Sequence, residues 1–262
     1  MLILLSPAKS LDYESKLATR KHTEPRLLDL SAELIDVMRQ KSVAEVAELM
    51  SISLELADLN ARRYAEFATP FTPKNARPAA LAFNGDTYRG LQANTTFGAR
   101  DFSEAQKTVR ILSGLYGVLR PLDLIQPYRL EMGTKLKTAK GDTLYEFWDA
   151  VIAPVLNSDL AESPGPDVVV NLASGEYFRS VDTKSLNGTL VTPRFLDEAP
   201  GGDYRVISFS AKYARGAMAA WMVRNRVRSV RALRDFDVVG YRYDPVQSTA
   251  AEPTFVRPRA NR

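Results

Sequence analysis

The chain has no cysteine and only one histidine among its 262 residues. Without cysteine it forms neither disulfides nor thiolate metal sites, and it has no thiol nucleophile. The histidine, His22, follows Lys21 in a polar stretch, where a solvated loop residue is the simpler interpretation. Histidine-dependent catalytic triads and the usual zinc sites are therefore excluded, and we expect neither a metal nor a cofactor.

Phosphate-binding glycine motifs are also missing. No dinucleotide fingerprint follows the first predicted strand, and the sequence contains no P-loop. The stretch "ILSGLYG", residues 111–117, lacks the spacing of a serine nucleophile elbow. No catalytic residue can be assigned from motifs, so any acid–base chemistry would depend on Asp, Glu, Lys or Tyr.

Long hydrophobic runs are absent as well. The apolar run at the start, Met1–Leu5, is far shorter than the about 20 residues of a membrane-spanning helix. The same start lacks the basic flank and cleavage site of a signal peptide. We therefore expect a cytoplasmic protein that does not act at a membrane.

Positive charge is concentrated towards the end of the chain. The net charge is only +4, but residues 211–234 contain seven cations and no acid. Within this segment Arg224, Arg228 and Arg231 have the spacing of one helix face. Such a face binds nucleic acid or pairs with acids elsewhere in the fold, and the sequence leaves both interpretations open.

Apolar residues make up 45% of the sequence and charged residues 25%, which is typical of a globular protein with a sizeable core. Hydrophobic patterns predict strands over residues 1–5, 79–83, 167–174, 188–196 and 204–211. They predict helices over residues 24–40, 42–50, 53–67, 101–113 and 142–156, and a long helix from Lys212. Strands and helices alternate irregularly, so we expect a single α/β domain over residues 1–262, of the mixed α+β kind, with a mixed sheet covered by helices.

The segment "GLYGVLRPLDLIQPYRLEMG", residues 114–133, is rich in glycine, proline and arginine, yet half apolar. A predicted helix ending at Ser113 and Gly114, an apolar turn with Gly117, and a restart at Arg120 indicate a helix-hairpin-helix-like element. In such an element the backbone N–H groups of the hairpin face a phosphate. The alternative interpretation is a glycine cap and a tight turn between packed helices.

Polar residues follow three of the predicted strands directly, where open sheets bind their ligands. They are Lys9 and Asp12 after the first strand, Tyr88 and Arg89 after the second, and Ser174 and Glu176 after the third. A cation at such a site contacts phosphate, and tyrosine with arginine stacks on a base. A surface lysine, a half-buried tyrosine and a helix-capping serine are the competing structural interpretations.

Six segments of the chain carry a family resemblance. They are "SPAKSLD" (6–12), "FNGDTYRGL" (83–91), "ILSGLYGVLRPLDLIQPYRLEMGTKL" (111–136), "LYEFW" (144–148), "NLASGEYF" (171–178) and "AKYARGAMAAW" (211–221). In this order they resemble the YaaA family of peroxide stress proteins, also grouped as UPF0246 and DUF328. The resemblance spans nearly the whole chain, and its long central motif is highly specific.

The resemblance implies a cytosolic protein that protects DNA under hydrogen peroxide stress by limiting free intracellular iron. It also implies DNA binding by a single α/β domain with a helix-hairpin-helix element and a positively charged cleft. The phosphate-contact candidates carried over are Lys9, Ser113, Gly114, Gly117, Arg120, Arg129, Lys212 and Arg215. The further cleft candidates are Asp12, Tyr88, Arg89, Tyr128, Glu131, Ser174 and Glu176.

Two hypotheses about function follow. The first is a DNA-binding protein, favoured as a monomer, that recognises double- or single-stranded DNA by its structure rather than its sequence. The second is an enzyme of unassigned reaction that acts on a small anionic or nucleotide-like substrate in a cleft lined by Lys, Arg and Glu. The enzyme hypothesis requires Lys9, Glu176 and Lys212 to lie around one pocket.

Overall fold

The first strand of the chain forms the centre of a five-stranded sheet in the computed structural model, which describes residues 1–261. This strand, Leu2–Leu5, is buried along its whole length. It pairs in parallel with Val109–Ser113 on one side and with Val168–Asn171 on the other. A strand covered on both faces in this way has a continuous apolar sequence, as "LILL" does.

The strands are numbered in chain order. They are β1 (Leu2–Leu5), β2 (Arg77–Pro78), β3 (Val109–Ser113), β4 (Gly117–Leu119), β5 (Leu124–Ile125), β6 (Val168–Asn171), β7 (Thr189–Val191), β8 (Arg194–Glu198), β9 (Tyr204–Arg205), β10 (Arg242–Tyr243) and β11 (Thr254–Arg257). The central sheet has the order β4-β3-β1-β6-β7, and a second sheet has the order β10-β11-β8-β9. Strands β2 and β5 form a two-stranded pair.

The α-helices are numbered in the same way. They are α1 (Leu28–Arg39), α2 (Val43–Met50), α3 (Leu54–Glu66), α4 (Ala79–Ala82), α5 (Asp86–Leu91), α6 (Ala93–Thr96), α7 (Ala99–Thr108), α8 (Leu144–Glu162), α9 (Gly175–Phe178) and α10 (Ser208–Arg224). Short 3₁₀ helices cover Arg231–Asp235 and Arg259–Asn261. The mixed α/β class with a mixed sheet is confirmed. Within residues 1–261, no helix combines the length and the apolar character that a membrane crossing requires.

Helix starts agree with the capping pattern of the sequence. The hydroxyls of Ser42 and Ser53 accept hydrogen bonds from backbone N–H groups in the first turns of α2 and α3. Thr143 does the same for α8 and forms a capping box with Glu146. These caps satisfy backbone donors that a helix start leaves without a partner, so local chemistry fixes where these helices begin.

Helix α10 connects the two sheets. It contacts β1 in the central sheet and β8 in the second. In the second sheet Phe195 stacks against Phe255, and Phe236 packs on both rings as well as on Trp221 of α10. The aromatic side chains therefore fix the direction of α10 and, with it, the positions of the basic residues near its start.

One predicted element is wrong in type, and another is wrong over its last five residues. Within the strand predicted over residues 79–83, Ala79–Ala82 form the helical turn α4, because "AALA" has high helix propensity and a short buried run does not distinguish the two. The helix predicted over residues 101–113 ends at Thr108, and Val109–Ser113 is strand β3. Its apolar residues fit either period, and pairing with β1 decides in favour of the strand.

The predicted helix-hairpin-helix element is a β-hairpin. Strands β3 and β4 pair antiparallel, with Ser113 opposite Gly117. Gly117 has a φ of +65°, the left-handed conformation that closes short hairpin loops at a glycine. The spacing of Gly114 and Gly117 therefore belongs to a three-residue loop between strands rather than to a turn between helices.

The end of the basic helix also differs from the prediction. The strand predicted over residues 204–211 is limited to Tyr204–Arg205, and α10 begins at Ser208, before Lys212. The helix ends at Arg224, and Arg226 has a φ of +53°. Arg228 and Arg231 therefore do not share a helix face with Arg224, and Arg228 pairs with Glu104 instead.

Candidate anion-binding cleft

A cleft of about 430 Å³ opens at the carboxyl ends of β1 and β6. Strand β1 has β3 on one side and β6 on the other, so the direction of the sheet order changes here. This is the position at which open α/β sheets bind ligands. The cleft is lined by Ser6, Pro7, Ala8, Lys9, Ser10, Asn84, Gly85, Asp86, Thr87, Arg89, Leu172, Ser174, Glu176, Tyr177, Lys212 and Arg215.

The loops after β1 and β6 are joined at the floor of the cleft. The backbone N–H of Ser174 donates to Ser6 Oγ at 2.8 Å, and the two hydroxyl oxygens lie 3.3 Å apart. The phenol of Tyr88 donates to the Ser6 carbonyl oxygen at 3.0 Å. Burial raises the pKa of the Tyr88 hydroxyl well above its ordinary value, so this group remains a donor.

The loop after β1 also pairs with the segment that precedes α5. The N–H of Asp12 donates to the Ala82 carbonyl at 2.7 Å, and the N–H of Asn84 donates to the Ser10 carbonyl at 2.9 Å. These bonds position the start of α5 beside the end of β1. The motifs "SPAKSLD" and "FNGDTYRGL" thus form neighbouring walls of one cleft.

Two glycines let α10 approach α5 at backbone distance. A Cβ on Gly216 would lie 1.7 Å from the Thr87 carbonyl oxygen, and one on Gly90 would lie 2.0 Å from the Tyr213 carbonyl oxygen. Any side chain at either position would push the helices apart. The close approach sets Lys212 and Arg215 of α10 across the cleft from the loop after β1.

Arg215 is a half-buried cation of the cleft that lacks compensation. Its side chain is half-buried, and no residue among 1–261 makes a hydrogen bond or ion pair with it. Burial lowers the pKa of the Arg215 guanidinium, and no neighbouring acid opposes this effect. Because arginine keeps its proton in proteins, the folded chain holds a partly desolvated positive charge in the cleft wall.

The other charges leave the cleft basic. Lys212 is exposed and likewise has no ion-pair partner in the described part of the chain. Arg89 lies 3.9 Å from Asp86, and Lys9 Nζ lies 3.2 Å from Glu131 Oε1. Four cations and two acids line the cleft itself, which gives it a net charge of +2. Such a cavity attracts anions.

A small recess beside the cleft holds the remaining predicted wall residues. It is lined by Tyr128, Arg129, Leu130 and Glu131 and shares Pro7, Ala8, Lys9 and Tyr177 with the cleft. Glu131 Oε1 accepts from Arg129 Nε at 3.1 Å, and it also pairs with Lys9. Its second oxygen is buried with no hydrogen-bond partner among residues 1–261. Glu131 therefore neutralises Lys9, which lines both the cleft and the recess, and Arg129, which lines the recess.

Glu176 stands at the cleft rim. Its Oε1 accepts from the Gly133 N–H at 3.1 Å, and its backbone carbonyl accepts from the Tyr145 hydroxyl at 3.0 Å. These bonds tie the loop after β6 to residues of "EMGTKL" and "LYEFW", which lie 43 and 31 residues earlier in the sequence. The carboxylate itself remains exposed to solvent.

The predicted hairpin residues do not face the cleft. Ser113 is fully buried and bonds to the Tyr128 hydroxyl at 2.7 Å. A Cβ on Gly114 would lie 2.2 Å from the Leu130 carbonyl oxygen, and one on Gly117 would lie 2.8 Å from the Trp148 ring. The hairpin backbone thus packs against protein on both sides and supports the Tyr128–Glu131 wall from behind.

Two other candidates also lie outside the cleft lining. Arg120 pairs with the buried carboxylate of Asp123 at 2.9 Å and donates to the Glu24 carbonyl. Asp12 accepts from the N–H groups of Glu14 and Ser15 and lines a neighbouring pocket together with Tyr88 and Arg89. The structure thus brings together Lys9, Arg89, Ser174, Glu176, Lys212 and Arg215.

Asn84 and Asp86 are cleft residues that sequence reasoning did not single out as site residues. Both belong to the "NGD" segment, which follows the run predicted as a strand and leads into α5, with Asp86 as the first residue of that helix. A polar turn after an apolar run was the available signal, the same one that pointed to Lys9 and Glu176.

The fold and the cleft define an α/β protein with a basic crevice at the carboxyl ends of two parallel strands. Residues 1–247 match the family described as "Peroxide stress protein YaaA". The chain is 53% identical over 258 residues to a UPF0246 protein of Alcanivorax borkumensis, covering 98% of this chain and 99% of that relative. The chain therefore belongs to the YaaA family of peroxide stress proteins, and the family resemblance of its motifs is confirmed.

Proposed function

We propose that this protein binds DNA through the basic cleft and limits oxidative damage to it during peroxide stress. Membership of the YaaA family is consistent with a role in peroxide stress. The proposal adds that recognition is independent of base sequence and is selective for DNA structure. DNA binding takes place in the cytoplasm, and the protein also lowers free intracellular iron.

The observation that carries the proposal is the uncompensated Arg215 in the cleft. A half-buried guanidinium without an acid is stabilised when an anion arrives, and phosphate accepts two parallel N–H bonds from an arginine. Lys212, on the same helix, adds a second unpaired charge. Contacts of this kind go to the nucleic-acid backbone and carry no base information, which supports sequence-independent binding.

Fluorescence anisotropy with labelled DNA of two unrelated sequences tests the proposal. We expect similar affinity for both, falling with salt by a slope of about 0.9 per phosphate neutralised on duplex DNA. Arg100, exposed on α7 and outside the cleft lining, provides the matched control. Arg215→Gln should weaken binding strongly, and Arg100→Gln should leave it nearly unchanged. No binding at modest ionic strength, or a flat salt dependence, contradicts the proposal.

The iron part of the proposal has its own test in cells. A strain that lacks the gene should show higher free iron and more DNA damage under hydrogen peroxide than its parent. Complementation with the wild-type chain should restore both quantities, and complementation with Arg215→Gln should not. Restoration of both quantities by the variant would show that iron limitation does not depend on Arg215 of the cleft.

A second candidate function is an enzyme that acts on a small anionic or nucleotide-like substrate. The observation that favours it is that Lys9, Glu176 and Lys212 line one cavity, as that hypothesis requires. Acids among the cations suit proton transfer. Incubation of the protein with nucleoside phosphates, followed by ³¹P NMR, tests it. New phosphorus signals that vanish with Glu176→Gln support an enzyme, and unchanged spectra contradict it.

A further inference from the structure

We propose that the cleft binds a single nucleotide through a terminal phosphate monoester, with the phosphate on Arg215 and Lys212 and the base on Phe209. This inference rests on the proposed function, because it takes the cleft to be a phosphate site. It goes further by naming the chemical group that enters. That group is the end of a strand or a free nucleotide rather than the continuous backbone of a duplex.

The size and shape of the cleft favour one nucleotide. Its volume of about 430 Å³ lies within the usual range of small-molecule pockets, about 300 to 1,000 Å³. The cavity is set between the loops after β1 and β6 and the start of α5, and Arg215 belongs to its half-buried lining. The interior of a duplex does not enter such a space. A chain end does, because only one side of its phosphate is attached to the rest of the strand.

The charge of the cleft favours a monoester over a diester. A phosphate monoester carries a charge of about −1.5 to −2 at neutral pH, whereas each backbone diester carries a single negative charge. The two α10 cations that line the cleft, Arg215 and Lys212, have no ion-pair partners among residues 1–261. Two positive charges match the dianionic group, and the planar guanidinium binds two of its oxygens at once.

Phe209 lies outside the residues that line the cleft and provides an apolar surface for a base beside Lys212. Its side chain is 59% exposed, although it is a large apolar group. It lies in the first turn of α10, three residues before Lys212, so the two side chains are neighbours on the helix surface. The rise of a helix puts them about 4.5 Å apart along its axis, within one nucleotide's reach. Stacking of a base on such a ring tolerates any base.

Single-stranded oligonucleotides that differ only at their 5′ end test the proposal without any variant. We expect an oligonucleotide with a 5′-phosphate to bind at least about tenfold more tightly than the same oligonucleotide with a 5′-hydroxyl, since charged hydrogen bonds are lost with the phosphate. Adenosine 5′-monophosphate should compete with the phosphorylated oligonucleotide. Inorganic phosphate should compete more weakly, because it has no base to stack.

Three variants assign the effect to residues. Arg215→Gln should abolish the preference for the 5′-phosphate, and Lys74→Gln, which removes an exposed cation outside the cleft, should preserve it. Phe209→Ala should weaken binding of adenosine 5′-monophosphate by about 5- to 100-fold and leave inorganic phosphate unaffected. Thermal unfolding by circular dichroism shows that each variant is folded before it is titrated.

The outcomes separate this inference from the proposed function. Equal binding of both oligonucleotides, with no competition by adenosine 5′-monophosphate, overturns the inference and leaves DNA binding standing. Tight binding of the free nucleotide without binding of either oligonucleotide supports the inference, identifies a free nucleotide as the ligand, and contradicts the DNA role. Equal competition by inorganic phosphate and the nucleotide, with no effect of Phe209→Ala, overturns the single-nucleotide assignment.

Discussion

Two regions of the molecule hold arginines away from solvent, and they treat the charge in opposite ways. Beneath the central sheet, Asp159 of α8 accepts from Arg26 at 2.8 and 2.7 Å and from Arg110 Nε at 2.6 Å. In the cleft, Arg215 has no acid partner within the described residues. The first region satisfies its cations with protein groups, whereas the second leaves its half-buried arginine available for an external anion.

The pKa values express the same difference. Burial by itself would raise the pKa of Asp159, but the hydrogen bonds from Arg110 and Arg26 outweigh it, and the pKa lies below its ordinary value. Burial lowers the pKa of Arg215 with nothing to oppose it. Removing one partner from a compensated buried cluster is strongly destabilising, while an uncompensated cation lowers stability until an anion binds. Asp159 is therefore a structural residue, and Arg215 is the candidate ligand residue.

Asp159→Asn should give the largest effect on stability. It leaves Arg110, whose side chain is 5% exposed, without its charge partner. Breaking a buried ion pair on one side costs about 3 to 5 kcal/mol. The free energy of unfolding in urea measures this loss. Asp149→Asn changes an exposed residue of the same helix and should stay within about 0.5 kcal/mol of wild type. Equal effects of the two variants on the free energy of unfolding would contradict the structural role assigned to Asp159.

The same carboxylate gives a pH dependence. Because the folded pKa of Asp159 is depressed, its stabilising contribution is complete above the unfolded pKa of about 3.9 and is lost as the pH falls through the lower folded pKa. The stability difference between wild type and Asp159→Asn should therefore be constant from about pH 5 to 7. It should shrink below about pH 4. A constant difference down to about pH 2 would mean that protonation of the Asp159 carboxylate is not coupled to unfolding.

Arg215→Gln should show the reverse pattern to Asp159→Asn. Removing an uncompensated cation should leave the unfolding free energy within about 1 kcal/mol of wild type. Loss of charged hydrogen bonds should lower DNA affinity by about 10- to 100-fold. Urea unfolding and anisotropy on the same preparation measure both quantities. A large loss of stability with unchanged affinity would make Arg215 structural as well.

Glu131→Gln should leave the recess with unpaired cations, as the cleft has. The change removes the carboxylate that pairs with Lys9 and Arg129 and frees both cations. DNA affinity should rise by about threefold to tenfold, with a steeper salt dependence. Isothermal titration calorimetry at two salt concentrations measures the gain. Weaker binding instead would show that Glu131 positions Lys9 and Arg129 rather than masking their charge.

Lys212→Gln should give the smallest effect. Lys212 is exposed, so water and salt screen its charge, and such contacts are worth up to about 1 kcal/mol. We expect a loss of affinity of about two- to fivefold at low salt that vanishes at high salt. A loss as large as that of Arg215→Gln would mean that burial does not distinguish the two cations.

Much of the cleft could be predicted from the sequence because it follows strand ends. Lys9 and Glu176 come directly after β1 and β6, whose apolar runs are clear, and parallel strands bring their carboxyl ends to one edge. The serine caps of α2 and α3 were equally local signals. These features depend on a few neighbouring residues, which a sequence displays directly.

The hairpin and the unpaired state of Arg215 could not be predicted, because they depend on contacts between residues that are far apart in the sequence. The apolar residues Val109, Ile111 and Leu112 fit a helix or a strand, and only pairing with β1 makes them β3 and turns the glycine loop into a β-hairpin. That no acid among residues 1–261 pairs with Arg215 is likewise a property of the folded chain, because Asp101 and Glu104 neutralise Arg226 and Arg228 further along the same basic segment. The spacing of charges in the sequence does not distinguish the unpaired Arg215 from the paired Arg226 and Arg228.

The salt dependence of DNA binding by wild type and Arg215→Gln tests the central claim most directly. If Arg215 neutralises a phosphate in the cleft, the slope of log K against log salt should be smaller in the variant by about 0.9 for duplex DNA or about 0.7 for single strands. The affinity should fall at every salt concentration. Identical slopes and affinities for the two proteins would contradict the claim that the uncompensated arginine is the phosphate site.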